Sequence, residues 1–390
     1  MTEDYLHNVW KSKRLPFHKI KPINAQKIEV KHVGEYNENQ KGPDFSCGIV
    51  EIDDLVFYGS IEIHVKSSDW YRHQHQNDSA YNNVILHVVY EYDKPIFQNG
   101  VLLPTIELKS HIDKDHFLKY RLGVLAKNEF SCGNFLSNVD PIYLESMKAN
   151  AYLDRMNAKT KLLVDLSLTD SSLFYHLIAS AFGTSINKQG FIELAQKINY
   201  HQLKKLSSPH QQFQLLIAES GLLHTNNKHN KIANSIWHFK GTRPFNFPDV
   251  RLKQFAQFVS SYDFDTSFIY LSAIEIKHEF YKMINDFWSH DHFHSKKISR
   301  AFSDSLIINA VVPLMWYIGN KEEDELFQNK AIELLQELPP EKNKYIDKWN
   351  KCSISAKNAF DSQSLLSLYQ YYCSRKKCLT CAVGNKLLEE

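Results

Sequence analysis

One predicted strand of this 390-residue chain carries a carboxylate, an imidazole and an ammonium group at alternate positions. The segment GSIEIHVK is rich in β-branched residues, and side chains two positions apart on a strand share a face. Glu62, His64 and Lys66 therefore point to one side of the predicted sheet. A second carboxylate, Asp44, follows a Gly-Pro turn at the predicted start of an earlier strand. Two carboxylates beside an imidazole can bind a divalent cation and transfer protons, which is the chemistry of metal-dependent hydrolysis.

More imidazoles follow within a short stretch of sequence. His73 and His75 lie in the polar segment SDWYRHQHQND, and His87 lies inside the apolar run VILHVV. Together with His64 they predict an alternative, nitrogen-rich site for zinc or manganese, in a hydrolase that uses these histidines directly. The same residues also fit two surface histidines and one core histidine that share no function.

The two carboxylates have a spacing that resembles a known pattern. Pro43-Asp44 followed by Glu62-Ile63-His64 resembles the PD-(D/E)XK nuclease superfamily in degenerate form, since His64 stands where that superfamily usually has lysine. The resemblance implies a restriction-endonuclease-like sheet, with Asp44 and Glu62 as ligands of Mg²⁺ or Mn²⁺ and phosphodiester hydrolysis as the reaction. It also implies His64 as the base or a further ligand, and Lys66 as a group that stabilises the transition state.

The whole chain also resembles an uncharacterised bacterial family that is catalogued as a domain of unknown function. The resemblance is carried by LHNVW, GPDF, GSIEIHVKSSDWYRHQH, YNNVILHVV, RPFNFP and CLTCAVG, which are spread over most of the sequence. It implies a bacterial, cytosolic protein and supplies no activity.

Three of the six cysteines crowd near the C-terminus in YYCSRKKCLTCAVG. Cys373, Cys378 and Cys381 include one Cys-x-x-Cys pair. The fourth ligand could be Cys132, Cys352 or a histidine, and Cys132 is favoured because it lies at the junction after the N-terminal domain. Four thiolates predict a site for Zn²⁺ or an iron–sulfur cluster, with a structural role. Reduced structural thiols and a redox-active Cys-x-x-Cys pair remain open as alternatives.

The pattern of apolar residues changes along the chain. Up to about residue 125, short runs rich in Val, Ile, Phe and Tyr alternate with turn-forming residues, and Asp53-Asp54 predicts a tight hairpin. From about residue 140 the apolar residues follow a helical period, beginning at Pro141. The sequence therefore predicts an α+β protein, with a mixed-sheet, nuclease-like domain over residues 1–130. A helical domain that ends in the cysteine-rich segment covers residues 131–390.

The overall charge gives little attraction to polyanions. With 46 Lys and Arg against 44 Asp and Glu, the net charge is +2, so any contact with nucleic acid must come from a local patch. Arg243 and Arg251, in GTRPFNFPDVR, are candidates to bind a substrate phosphate, and they could equally pair with Asp249 or Glu219 and fix the loop.

Neither a membrane span nor a signal peptide is predicted. The longest apolar run, Leu306–Ile318, is shorter than the roughly 18–20 residues that cross a bilayer, and the N-terminus has no apolar core. We therefore expect a cytoplasmic protein without a membrane partner, and the sequence leaves its oligomeric state open. The expected function is hydrolysis of nucleic acid, and the alternative is a non-catalytic module that binds nucleic acid or protein on a degenerate nuclease-like sheet.

Overall fold

The chain forms two compact units in a computed structural model. The structure describes residues 1–390 except 14, 26, 38–41, 126–129, 165–167, 223–231, 234–235, 290–296 and 390. Unit 1 comprises Met1–Leu144 together with Tyr372–Glu390, and unit 2 comprises Glu145–Tyr371. The C-terminal segment thus belongs with the N-terminal residues, whereas the division drawn from the sequence placed it in the helical domain.

Unit 1 is built on a mixed sheet. Its strands are β1 (Ile28–His32), β2 (Glu35–Tyr36), β3 (Phe45–Ile52), β4 (Leu55–Lys66), β5 (Val84–Glu91), β6 (Phe97–Gln98), β7 (Val101–Leu102) and β8 (Thr105–Glu107). The main sheet has the order β1-β3-β4-β5-β8, β2 pairs with the end of β3, and β6 and β7 form a separate hairpin. The pairs β1–β3 and β3–β4 are antiparallel, whereas β4–β5 and β5–β8 are parallel.

The β3–β4 hairpin turns where the sequence predicts it. Ile52 pairs with Leu55, and Asp53 and Asp54 have φ angles of 47° and 64°. Two successive left-handed residues give the turn a twist that matches that of paired strands, and Asp tolerates this conformation better than most residues do. The turn therefore fixes the register between β3 and β4.

In chain order the described helices are α1 (Glu3–Lys11), α2 (Asp69–Arg72), α3 (Lys114–Leu125), α4 (Pro141–Val164), α5 (Asp170–Phe182), α6 (Lys188–Lys197), α7 (Tyr200–Lys204), α8 (Pro209–Glu219), α9 (Pro248–Ser261), α10 (Ala273–Ser289), α11 (Arg300–Leu306), α12 (Val312–Glu322), α13 (Glu325–Gln336), α14 (Lys344–Lys351), α15 (Ala359–Tyr371) and α16 (Ala382–Glu389). Unit 1 contains α1–α3 and α16, unit 2 contains α5–α15, and α4 begins in unit 1 and continues into unit 2. The observed architecture is a mixed-sheet region followed by a helical region, as the sequence predicts.

The core of unit 1 lies between α1 and one face of the sheet. Tyr5, Leu6 and Trp10 of α1 pack with Ile61 and Ile63 of β4 in one buried cluster. A smaller buried cluster joins Trp70 of α2 and Tyr81 to Val84 of β5, Ile96 and Leu103. Apolar packing therefore holds the central strands and the segment that follows β4.

Among the described residues, one helical stretch is long and apolar enough to cross a membrane by length and composition alone. It runs over Arg300–Glu322 and includes a π-helical turn at Ile307–Val311. Within its most apolar window, 78% is buried inside the structure. Leu306 and Leu314 belong to the large core of unit 2, so core packing accounts for the apolar character of this helix.

Candidate metal centre

Strand β4 supplies the first two residues of the centre. Glu62 and His64 lie on one face of the strand, and Ile61 and Ile63 lie on the opposite face, in the core of unit 1. The polar face is also buried, since only 4% of Glu62 and 1% of His64 is exposed. A buried carboxylate beside a buried imidazole needs a specific partner, because transfer of a charge out of water is unfavourable.

The segment after β4 covers this polar face. Asp69 begins α2, accepts a hydrogen bond from the backbone N–H of Lys66 at 3.0 Å, and lies 3.0 Å from Arg72 Nη1. Beyond α2, Gln74 has a left-handed backbone with φ of 62°. This single left-handed residue separates His73 from His75, and both imidazoles reach His64 on the strand.

Three imidazoles converge beside the Glu62 carboxylate. One ring nitrogen from each of His64, His73 and His75 lies within 4.8 Å of the other two. The Nε2 atom of His64 is 3.1 Å from Nδ1 of His73 and 3.5 Å from Oε1 of Glu62. The Nε2 atom of His75 is 3.3 Å from the same Glu62 oxygen. These four side chains offer three nitrogen atoms and one oxygen atom to a single metal ion.

His87 supports the cluster from the neighbouring strand. It is opposite Glu62 in the β4–β5 register, is fully buried, and places Nε2 2.8 Å from Nδ1 of His64. Burial lowers the pKa of His87 to about 3, and burial together with the other imidazoles lowers the pKa of His64 far below its ordinary value. Both rings are therefore neutral near pH 7. In the tautomer in which His64 Nδ1–H donates to His87, the lone pair on His64 Nε2 faces the cluster.

Two aromatic side chains enclose the imidazoles. Trp70 presents its ring edge-on to His75 and His87, with centroid distances of 5.4 Å in each case. Tyr81 stacks on His75 at 3.8 Å with an interplanar angle of 20°. This packing fixes the ring orientations and leaves His73 as the exposed member of the cluster.

The two predicted carboxylates are joined through the backbone. The N–H of Asp44 donates to Oε2 of Glu62 at 3.0 Å, and the N–H of Ile63 donates to Oδ2 of Asp44 at 2.9 Å. Burial, and then the neighbouring charge of Asp44, raise the pKa of Glu62 to about 9. The metal-free site therefore disfavours the ionised form of Glu62, and a cation would favour it.

Helix α1 contributes two residues that the sequence reasoning missed. Nε2 of His7 is 3.1 Å from Oδ2 of Asp44, and the hydrogen bond with Asp44 helps to raise the pKa of His7 against the effect of burial. Burial raises the pKa of Glu3, whose charge interacts with those of His73 and Asp44. Glu3 and His7 are four residues apart and share a helix face, which is the signal that could have identified them.

Lys66 lies at the exposed end of β4. Within the described part of the chain, its ammonium group makes no hydrogen bond or ion pair with Glu62 or His64. The catalytic role of Lys66 stays a prediction, and the structure adds no contact in its favour.

The two arginines proposed for substrate binding belong to unit 2. Arg243 is exposed, whereas Arg251 is buried and donates to Asn246 at 2.5 Å and to Gln254 at 2.8 Å. The guanidinium group of Arg251 also stacks over the ring of Phe302 at 3.4 Å. Arg251 therefore stabilises its loop through amide side chains, and not through the carboxylates that the sequence suggested.

The cysteines form a separate group in unit 1. None of the six cysteines forms a disulfide bond, and Cys132, Cys378 and Cys381 all influence the thiol of Cys373. Burial and these neighbours raise the pKa of Cys373 well above its ordinary value. Among the described residues, however, the histidine cluster alone brings three ligand atoms within 4.8 Å of one another.

The fold and the centre define an α+β protein with a histidine-and-carboxylate cluster on its sheet. The chain belongs to a family described as a protein of unknown function (DUF2851), whose model matches residues 3–344. This confirms the resemblance to an uncharacterised family. No curated protein and no solved structure matches the chain.

Proposed function

We propose that this protein is a cytoplasmic, divalent-metal-dependent hydrolase that cleaves phosphodiester bonds of nucleic acid. The observation that carries the proposal is the buried Glu62 carboxylate, whose Oε1 lies within 3.5 Å of two of the three converging imidazoles. Buried ionisable groups of this kind cluster at functional sites because they need a ligand to offset their burial.

The donor set fits a transition metal ion. Nε2 of His75 is buried and makes no hydrogen bond within the described structure, so its lone pair is available to a ligand. Three imidazole nitrogens with one carboxylate suit Mn²⁺ or Zn²⁺, whereas Mg²⁺ prefers oxygen ligands. Of the two ions suggested by the nuclease resemblance, Mn²⁺ is therefore the better match.

The sheet supports the nuclease assignment through the positions of the carboxylates. Asp44 immediately precedes β3, Glu62 lies on the antiparallel neighbour β4, and β5 continues the sheet in parallel. These positions, together with the resemblance of Pro43-Asp44 and Glu62-Ile63-His64 to the nuclease pattern, support the nuclease part of the proposal. The site departs from that pattern in adding His73 and His75 and in leaving Lys66 exposed.

The contacts assign a role to each polar group. Both ring nitrogens of His64 are engaged, one with His87 and one in the cluster, so His64 acts as a ligand and not as the base. His7 Nε2 lies 3.1 Å from Oδ2 of Asp44, and Asp44 is joined to Glu62 through the backbone. The Asp44–His7 pair is the group that we propose to accept a proton from the attacking water. A bound metal ion would supply Lewis acidity and lower the pKa of that water.

A cleavage assay tests this proposal. Single- and double-stranded DNA and RNA are incubated with Mn²⁺, Zn²⁺ or Mg²⁺ and with the wild type, His73→Ala or His18→Ala. His73 and His18 are both exposed in unit 1, so either substitution leaves the core unchanged. We expect Mn²⁺-dependent cleavage by the wild type and by His18→Ala, with a large loss in His73→Ala.

Two results would contradict the proposal. Equal activity of His73→Ala and the wild type would exclude the histidine cluster as the catalytic centre. Metal-independent binding without cleavage of any of these substrates would favour the non-catalytic binding module.

A further inference from the structure

Four of the six cysteines gather in unit 1, apart from the histidine cluster. The segment that holds Cys132 meets the segment that holds Cys373, Cys378 and Cys381, although Cys132 lies about 240 positions away from Cys373 in the sequence. The other two cysteines do not belong to this group, since Cys47 is exposed on β3 and Cys352 follows α14 in unit 2. Two segments of unit 1 that are distant in the sequence therefore bring their cysteines into one region of the fold.

The fold holds the C-terminal thiols against the rest of unit 1. Leu379, between Cys378 and Cys381, is buried in the same core as α1, and its carbonyl accepts a hydrogen bond from Asn8 Nδ2 at 2.8 Å. Nζ of Lys376 donates to Oγ of Ser131 at 3.1 Å, next to Cys132 in the chain. These contacts bring the two segments together independently of the sulfur atoms.

The backbone after Cys381 lies close to its sulfur atom. Burial raises the pKa of the Cys381 thiol, and the N–H groups of Val383 and Gly384, which both donate to the sulfur, oppose that rise. A methyl group at position 384 would collide with the carbonyl oxygen of Cys378, so only glycine allows the chain to wrap so closely. Amide groups aimed at a sulfur atom stabilise the anionic form, which is the form that binds metals.

We propose that Cys132, Cys373, Cys378 and Cys381 bind one Zn²⁺ as a structural tetrathiolate site that closes the C-terminal segment onto unit 1. Four thiolates satisfy the tetrahedral coordination of Zn²⁺ and leave no open position for catalysis. In the described structure no three of these sulfur atoms all lie within 4.8 Å of one another, so zinc binding draws them closer. The site goes beyond the proposed hydrolase activity and does not depend on it.

Metal analysis with matched variants tests the site. The background protein is the full-length chain with His73→Ala, which keeps zinc at the histidine cluster from adding to the measured zinc content. It is compared with four variants that each carry one further substitution: Cys373→Ser, Cys381→Ser, Cys47→Ser or Cys352→Ser. We expect one zinc per chain in the background protein and in the Cys47 and Cys352 variants. We expect loss of that zinc in the Cys373 and Cys381 variants.

Cobalt substitution provides a readout that does not require the cysteine variants to fold. We expect Co²⁺ bound to the His73→Ala protein to show intense thiolate-to-metal charge-transfer absorption, with the visible bands of tetrahedral coordination. Absence of these bands would overturn the proposal, as would full retention of zinc in Cys373→Ser. Iron with acid-labile sulfide in place of zinc would overturn the assignment of the ion.

Discussion

Replacement of Glu62 by Gln should stabilise the metal-free protein near neutral pH, although Glu62 lies at the centre of the proposed site. Burial and Asp44 raise the pKa of Glu62 from 4.5 to about 9. At pH 7.5 the folded carboxyl group is protonated, whereas in the unfolded chain it is ionised. Folding must therefore take up a proton, and a glutamine at this position removes that requirement.

The magnitude follows from the difference between pH 7.5 and the unfolded pKa of 4.5. Three pH units at about 1.36 kcal/mol each give an upper value of about 4 kcal/mol in the free energy of unfolding. Below pH 4.5 the carboxyl group is protonated in both states, so the advantage of the Glu62→Gln variant disappears there. The substituted amide can keep the hydrogen bond from the Asp44 N–H and direct its NH₂ group toward Nε2 of His75.

Added Mn²⁺ should make the wild type more stable than Glu62→Gln, which is the reverse of the order expected without metal. A bound metal ion stabilises the folded state by an amount that rises with the logarithm of its concentration relative to Kd, and reaches about 2.7 kcal/mol at a concentration 100 times Kd. The ionised Glu62 carboxylate contributes to that affinity, whereas the neutral amide contributes much less. We therefore expect Mn²⁺ to stabilise the wild type strongly and Glu62→Gln weakly.

Amide hydrogen exchange measures this effect locally, which matters because the chain has two units and need not unfold in one step. Peptides from β4 and β5 are followed with chelator or Mn²⁺, at pH 7.5 and below pH 4.5. In chelator at pH 7.5 we expect exchange to slow by between about 10-fold and about 1,000-fold in Glu62→Gln. Glu91→Gln, on the neighbouring strand β5 and partly exposed, is the control. Faster exchange in Glu62→Gln than in the wild type without metal would refute the reasoning.

Three further predictions concern other contacts. Because burial lowers the pKa of His87 to about 3, this imidazole by itself should cost the metal-free protein about 2.3 kcal/mol of stability as the pH falls from 6.5 to 4.5, opposite in sign to the contribution of Glu62. His87→Gln should remove this cost, so hydrogen exchange should show that the variant gains stability relative to the wild type over this range. His87→Phe removes the hydrogen bond to His64, so calorimetric titration should show Mn²⁺ binding weakened by about 10- to 100-fold, with His18→Ala unchanged. The ammonium group of Lys148 lies 2.5 Å from the carboxylate of Asp361, and Lys148→Met would leave that carboxylate without its cation. Thermal unfolding should show a loss of about 2–3 kcal/mol in stability, and an unchanged stability would contradict a structural role for the pair.

The strand pattern allowed the first half of the site to be predicted. A period of two places Glu62 and His64 on one face regardless of what covers that face. Burial of the polar face could not be predicted, because it depends on the segment after β4 folding back through the left-handed Gln74. Periodicity describes a single element, whereas convergence of His73 and His75 on His64 depends on a turn whose direction the sequence does not specify.

A break between two helices of unit 2 shows again that periodicity does not specify where the chain turns. The apolar period and Gly319 predict separate helices over Ser299–Ile318 and Lys321–Glu337, but α12 continues to Glu322 and α13 begins at Glu325. Glu323 adopts a left-handed conformation with φ of 54°, and Asp324 caps α13 by accepting a hydrogen bond from the N–H of Leu326 at 2.9 Å. Neither a glycine nor a proline marks this break, so the apolar period runs across it.

Assembly of unit 1 from both ends of the chain affects how the protein is made. The ribosome must synthesise all of residues 145–371 before it can supply Leu379 to the sheet core, which takes roughly 10–45 s at about 5–20 residues per second. The nascent sheet therefore waits with an incomplete apolar surface while the helical unit folds. A stop codon after residue 371 would leave the residues of the helical unit joined to a sheet that lacks Leu379 in its core.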